Sequence, residues 1–205
     1  MTEVDTDQQD EDEDEDEAPG WDAIEAAVAR IVPPQQPLHW GTDTLPGQDG
    51  IYGLSAYRTS SHWLLVTFGL SELFGKDSDD PEVSGWGFEL TMRVPATDEQ
   101  PPPWALRLLQ QLGRYVFSAG RPFAGGHRMD PGGPITGAPD SRLTALAFAR
   151  DPELGTIDTP NGQVEFLTVV GMTADELARM KETSTDQVLG EFAIASPLLV
   201  TDVRR

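Results

Sequence analysis

The chain has no cysteine among its 205 residues, so neither a disulfide nor a cysteine-ligated metal can stabilise or serve it. It is also poor in positive charge: 14 Lys and Arg stand against 35 Asp and Glu, for a formal net charge of −21. Binding a nucleic-acid backbone needs clustered cations, and that partner class is excluded. No apolar run reaches the length that spans a bilayer. The acidic, polar N-terminus is the opposite of a secretory signal's basic start and apolar middle. No membrane partner is expected, and the expected location is the cytoplasm. Histidine is scarce too: His39, His62 and His127 lie far apart and lack HExxH-like spacing.

Negative charge is what the chain has in excess, much of it in one place. Glu3 to Glu17 holds eleven acidic residues and no basic one, leaving about −10 for the rest. Residues 1–19, almost without apolar side chains, cannot bury enough surface to offset ordering entropy and read as a disordered acidic tail. Residues 20–205 read as one domain with its own core.

Two strand signals dominate that domain. His62–Phe68 is rich in β-branched and aromatic residues. In Trp86–Val94 the apolar Trp86, Phe88, Leu90 and Met92 alternate with Gly87, Glu89, Thr91 and Arg93, the period of a strand with one face in the core. Between them Asp77-Ser78-Asp79-Asp80-Pro81-Glu82 reads as a solvent-facing acidic loop, and loops on rigid scaffolds are where function concentrates. A first helix is expected over Gly20–Val32, stopped by Pro33-Pro34. Gln35–Tyr57 reads as irregular chain, with a short strand from Ile51 to Tyr57. A longer helix opens at Pro101-Pro102-Pro103, presents Trp104, Leu108, Leu112, Tyr115 and Val116, and stops at Gly120. Arg142–Arg150 reads as a strand, and Thr156–Asp158 with Gln163–Val170 as a hairpin across Thr159-Pro160-Asn161-Gly162. Thr173 to Glu176 forms a capping box, Ser184 or Thr185 caps a further helix, and Leu198–Val203 reads as a last strand. Strands and helices interleave without a regular βα repeat, which predicts an α+β domain with a mixed β-sheet covered by helices.

Catalytic patterns are incomplete throughout. Gly69-Leu70-Ser71 begins like a nucleophile elbow but lacks the second glycine and has no base motif. Counted from Asp77, an EF-hand would need Gly where Glu82 stands and Glu where Phe88 stands. No GK[ST] follows Gly125-Gly126. The sequence therefore predicts no catalytic residues, no bound metal and no cofactor. Its alternative is an enzyme with a metal-dependent site around residues 77–82.

Several segments resemble the suppressor-of-fused family. They are Gly69–Gly75, Ser84–Thr91, Pro103-Trp104-Ala105, Arg114-Tyr115-Val116-Phe117, Thr159–Gly162, Phe166–Gly171 and Leu199–Arg205, in the family's order. The resemblance runs from about Trp21 onward and covers the N-terminal lobe of the animal members. Those members are non-enzymatic binders that restrain transcription factors, with two lobes clamping an extended peptide. Stand-alone bacterial members resemble immunity proteins of toxin systems. The resemblance places Tyr115 in the motif near which the animal lobe binds its partner. Gly126 stands where those members carry an acidic partner-binding residue, just before the histidine matching His127, so a different peptide is implied. The Trp-Asn pair usual before the family's last helix is replaced, with Thr183-Ser184 in that region. The expected function is a non-enzymatic, immunity-type inhibitor that binds a basic toxin domain, contacting it through Asp77, Asp79, Asp80, Glu82, Tyr115 and His127.

Overall fold

The computed structural model describes residues 17–42 and 50–205. The acidic tail up to residue 16 lies outside the described residues, and with it most of the segment expected to be disordered. No described helix is long and apolar enough to cross a membrane.

The architecture is a mixed sheet with helices on both faces. In chain order the elements are α1 (Pro19–Val28), β1 (Leu38–Gly41), β2 (Gly53–Arg58), β3 (His62–Phe68), β4 (Val83–Pro95), α2 (Pro103–Ala119) and β5 (Arg128–Met129). They continue with β6 (Leu143–Arg150), β7 (Thr156–Thr159), β8 (Gly162–Thr173), α3 (Ala174–Glu182) and α4 (Thr185–Ala195). The sheet runs β1-β2-β3-β4-β8-β6-β5, with β7 paired to β8. Every pairing is antiparallel except β4 with β8, where Leu90 lies opposite Leu167 and Thr91 opposite Thr168. That parallel seam joins two antiparallel halves, β1–β4 and β5–β8.

Side-chain alternation sorts the strands onto two faces. Trp63, Leu65, Leu90, Met92, Phe148, Leu167 and Val169 meet α2 through Ala105, Leu108, Leu109, Leu112 and Val116. Pro102 and Pro103 start this helix, where the missing N–H groups have no helical partner in any case. Gly120 ends it in the left-handed conformation (φ 62°), its amide donating to the Val116 carbonyl at 2.9 Å. On the other face Leu64, Val66, Phe68 and Phe166 pack against Ile24, Ala27 and Val28 of α1. Ala145, Ala147, Val170 and Met172 pack against α3 and α4. The capping box is formed: the Glu176 amide donates to Thr173 Oγ1 while the Thr173 amide donates to Glu176. Ser184 caps α4 by accepting from the Gln187 amide.

Three expectations are corrected. The stretch 35–57 contains an additional edge strand, β1, paired to β2. Leu198–Val203 forms no strand. Leu199 takes a left-handed conformation (φ 55°), and Thr201 docks the segment at two points. Its amide donates to the Arg93 carbonyl (2.8 Å) and its hydroxyl accepts from the Gly171 amide (2.9 Å).

The third correction concerns β4, which has both faces in the core. Glu89, Thr91 and Arg93 are completely buried, Glu89 held by the chain from Thr67 to Ser71 and the other two by the turn after β6. In that turn Asp151 accepts from both terminal nitrogens of Arg93 (2.6 and 3.0 Å) and from the Thr91 hydroxyl (2.6 Å). It also caps the turn by accepting from the Glu153 and Leu154 amides, each at 3.0 Å. Burial works against the charged Asp151, yet the Arg93 guanidinium prevails and holds its carboxyl below the usual range.

Candidate functional site

The chain leaving β3 is shaped by two carboxylates. Glu89 accepts from the Gly69 amide (2.8 Å), the Ser71 amide (2.9 Å), the Ser71 hydroxyl (2.7 Å) and the Thr67 hydroxyl (2.6 Å). Burial pushes the Glu89 carboxyl up to about 7, against the pull of those donors. Glu72 then gathers the acidic loop around itself. Its Oε1 accepts from the Asp77 and Ser78 amides (2.8 and 2.5 Å), and its Oε2 from Lys76 Nζ (2.9 Å) and the Gly85 amide (3.0 Å). Although burial opposes it, Lys76 and the Ser78 and Asp77 amides bring the Glu72 carboxyl down to about 2.

The returning strand closes against the same segment. Gly85 sits at φ 56°, where a Cβ would press on the Leu70 carbonyl, so only glycine fits this approach. The Trp86 amide donates to that carbonyl at 2.8 Å. The β7–β8 turn braces the loop from the side. Asn161 Nδ2 donates to the Glu72 carbonyl (2.9 Å), and the Gln163 amide to the Glu82 carbonyl (2.8 Å).

Together these segments wall a cleft of about 520 Å³, lined by Tyr52, Leu73, Phe74, Trp86 and Phe117 and by Ser71, Glu72 and Asp77. Phe74 stands 45% exposed, with Tyr52 edge-on at 5.4 Å. Trp86 and Phe117 meet edge to face at 5.8 Å.

The cleft holds no assembled catalytic group. The Ser71 hydroxyl is taken by Glu89, and the three histidines are engaged locally. His39 pairs with the Ser55 hydroxyl, His62 with the Thr59 and Ser61 hydroxyls, and His127 accepts from the Ala124 amide. Burial lowers the His39 and His62 pKa values, and Arg93 lowers that of His62 further. Among the described residues no three His, Asp or Glu converge as they would around a metal ion.

The structure divides the six residues expected to bind a partner. Asp77, Asp79, Asp80 and Glu82 share the loop beside the cleft. Tyr115 and His127 do not line it. Tyr115 stacks on Phe123 at 5.7 Å, and Phe123 stacks on Phe148. His127 is exposed on the loop that follows Phe123, so these two flank one aromatic stack. Sequence reasoning missed the organising roles of Glu72 and Glu89. Both lie inside the segments that carried the family resemblance, beside glycines and serines whose amides bind them.

The sequence model described as Suppressor of fused protein (SUFU) matches residues 47–205. This chain belongs to the suppressor-of-fused family. Suppressor of fused homologs from Homo sapiens and Mus musculus are each 32% identical to it over 215 residues, covering 91% of this chain. It spans 43% of the length of each of these curated relatives. Among solved structures, Drosophila Suppressor of Fused superposes with a TM-score of 0.83 at 32% identity, covering 93% of this chain and 51% of that one. A chain of the Sufu–Fu complex gives a TM-score of 0.83 at 31% identity, covering 92% of this chain and 91% of that one. A suppressor-of-fused homolog from Neisseria gonorrhoeae shares the fold, with a TM-score of 0.59 at 13% identity, 86% of this chain and 90% of that one being covered.

Proposed function

We propose that this suppressor-of-fused chain is a non-enzymatic, immunity-type protein-binding domain of the cytoplasm that neutralises a basic toxin domain by covering it. The observation that carries the reading is the open, aromatic-walled cleft beside a loop whose four carboxylates have no cation. Among the described residues Asp77, Asp79, Asp80 and Glu82 are in no ion pair, and Lys76 in the same loop is held by Glu72. Such a surface suits a partner rich in Lys and Arg, since complementary charge speeds encounter and rejects wrong partners. The relative in the Sufu–Fu complex supports the protein-binding part. We assign the four loop carboxylates to one flank of the contact, and Tyr115 and His127 to a second.

The test is to capture bound proteins from the native cell with the tagged chain, then express the captured protein in another host. The expected result is growth arrest that co-expression of this chain relieves. A captured partner harmless to the host removes the toxin reading and leaves the binding domain. Turnover by the purified chain that disappears in Ser71→Ala or Asp77→Asn, with the fold intact, removes both.

A further inference from the structure

The cleft is built before anything enters it. Phe74 is held by Tyr52 and Trp86 by Phe117, so little side-chain ordering remains for a ligand to bring about. The backbone around it is already committed. The Leu70 carbonyl accepts from Trp86, the Leu73 carbonyl from Gly20 and Trp21, and the Glu72 carbonyl from Asn161. Those carbonyls are not free to pair with an added strand, and what the cleft offers is an apolar space for a side chain.

Its surroundings are anionic on the side of the 77–82 loop. Asp77 lines it and Asp79, Asp80 and Glu82 follow in the same loop. A loop of four carboxylates thus borders one apolar cleft.

Resting on the protein-binding reading above, we infer that the cleft receives one bulky apolar side chain, of the size of Leu, Phe or Trp, from a partner segment whose flanking residues are Lys and Arg. A second copy of this chain would bring the same negative flanks against them. The chain's own tail has almost no apolar side chain to insert. A basic segment with an apolar anchor meets both the walls and the field.

The test uses the isotope-labelled full chain and three synthetic peptides: KKKWKKK, KKKAKKK and EEEWEEE. The expected result is that KKKWKKK shifts the Trp86 indole and the Leu70, Leu73 and Phe74 amides. KKKAKKK should move amides of the 77–82 loop alone, and EEEWEEE should not bind. Phe74→Ser should weaken KKKWKKK about tenfold, as loss of an anchor contact does. With 45% of Phe74 exposed, its melting temperature should hold. Neutralising the four loop carboxylates should weaken the same peptide about threefold and flatten its salt dependence. Indistinguishable shifts from the Trp and Ala peptides overturn the inference, as does full affinity in Phe74→Ser. Self-association lost in Phe74→Ser assigns the cleft to a second copy and overturns it too. A captured partner that binds Phe74→Ser as tightly as the native chain overturns the cleft while sparing the binding function. Peptide binding in a chain that captures no protein does the reverse.

Discussion

Strands β3 and β4 carry charge to two opposite settings. In the loop joining them, Asp77, Asp79, Asp80 and Glu82 are without an ion pair among the described residues. Along β4 itself Glu89 and Arg93 are fully buried, and each is gripped by groups from another segment. The buried charges hold distant segments in place: Arg93 fastens the turn at Asp151, and Glu89 fastens the chain from Gly69 to Ser71. The loop charges hold almost nothing, apart from Asp80 accepting from the Glu82 amide at 2.9 Å. Glu72 stands between the two groups, its charge turned on the loop's own backbone. The buried anchors and the proposed contact surface thus use different carboxylates, and substitution should separate them.

The largest effect is expected at Asp151. Asp151→Ala leaves Arg93 charged, buried and bonded only to Glu153, and breaking a buried pair from one side costs about 3–5 kcal/mol. Denaturant melts should show that loss, and a second substitution, Arg93→Met, should recover a substantial part of it. A loss below about 1 kcal/mol would place Asp151 with the loop carboxylates.

Glu89 comes next, and its effect depends on pH. Its folded pKa is raised to about 7 from the ordinary 4.5. Its contribution is therefore fully present below about 4.5 and is lost as pH rises through 7, amounting to about 3 kcal/mol over that window. The lowered values of His39 and His62 act in the opposite sense, since a fold that prefers neutral histidine gains stability as pH rises. The informative quantity is the stability difference between the native chain and Glu89→Gln, followed from pH 4 to 8. It should fall steadily in that window; a flat difference would show that the four donors keep Glu89 ionised throughout.

Glu72→Gln should cost about 1–2 kcal/mol at pH 7, the scale of a lost charged hydrogen-bond set at a partly buried site. Here the sign is reversed. The folded pKa is depressed to about 2, so the contribution holds above about 4.5 and disappears as pH falls toward 2. Amide exchange in residues 76–85 should rise in this variant while β8 is unchanged.

The smallest effect is expected where charge is densest. Replacing Asp77, Asp79 and Asp80 with Asn, and Glu82 with Gln, should leave the melting temperature unchanged or slightly raised, because mutual repulsion is removed. The Asp80→Asn change keeps a side-chain oxygen that can accept from the Glu82 amide. Partner association should slow and lose part of its salt dependence. Unchanged association across a salt series would take the loop out of the interface.

Much of this arrangement was legible in the sequence. β3 followed from its β-branched and aromatic composition, and α2 from proline at one end, glycine at the other and apolar residues between. The capping box at Thr173 needed only local spacing. What could not be read depended on residues far away. Alternation along β4 suggested one dry face, because nothing near Arg93 announces that Asp151, 58 residues later, will meet it. β1 is four residues long, and all but Trp40 among them are exposed, so no alternation marks it. Leu198–Val203 has the composition of a strand, yet Thr201 satisfies its bonds at two points without a ladder. The acidic loop was visible as a candidate site, but the cleft beside it needed Phe117 from α2 and Tyr52 from the far side of β3.

The parallel seam between β4 and β8 has a consequence for how the molecule assembles. Each half of the sheet is made of antiparallel neighbours, and β2 meets β3 across residues 59–61 and β3 meets β4 across residues 69–82, both shorter than the path to the seam. The seam, by contrast, pairs Val83 with Gln163 and Thr91 with Thr168, and α2 and β6 must be placed between them. Contacts that close long loops form slowly, because chain entropy is lost before they reward it. The sheet is therefore expected to zip as two sections and join last along its middle. Pulse-labelled exchange during refolding should protect the β2–β3 amides before those that bridge β4 to β8. A nick in the exposed 97–100 segment should yield two pieces that recognise each other along that line, since the seam asks for proximity and not for an unbroken chain.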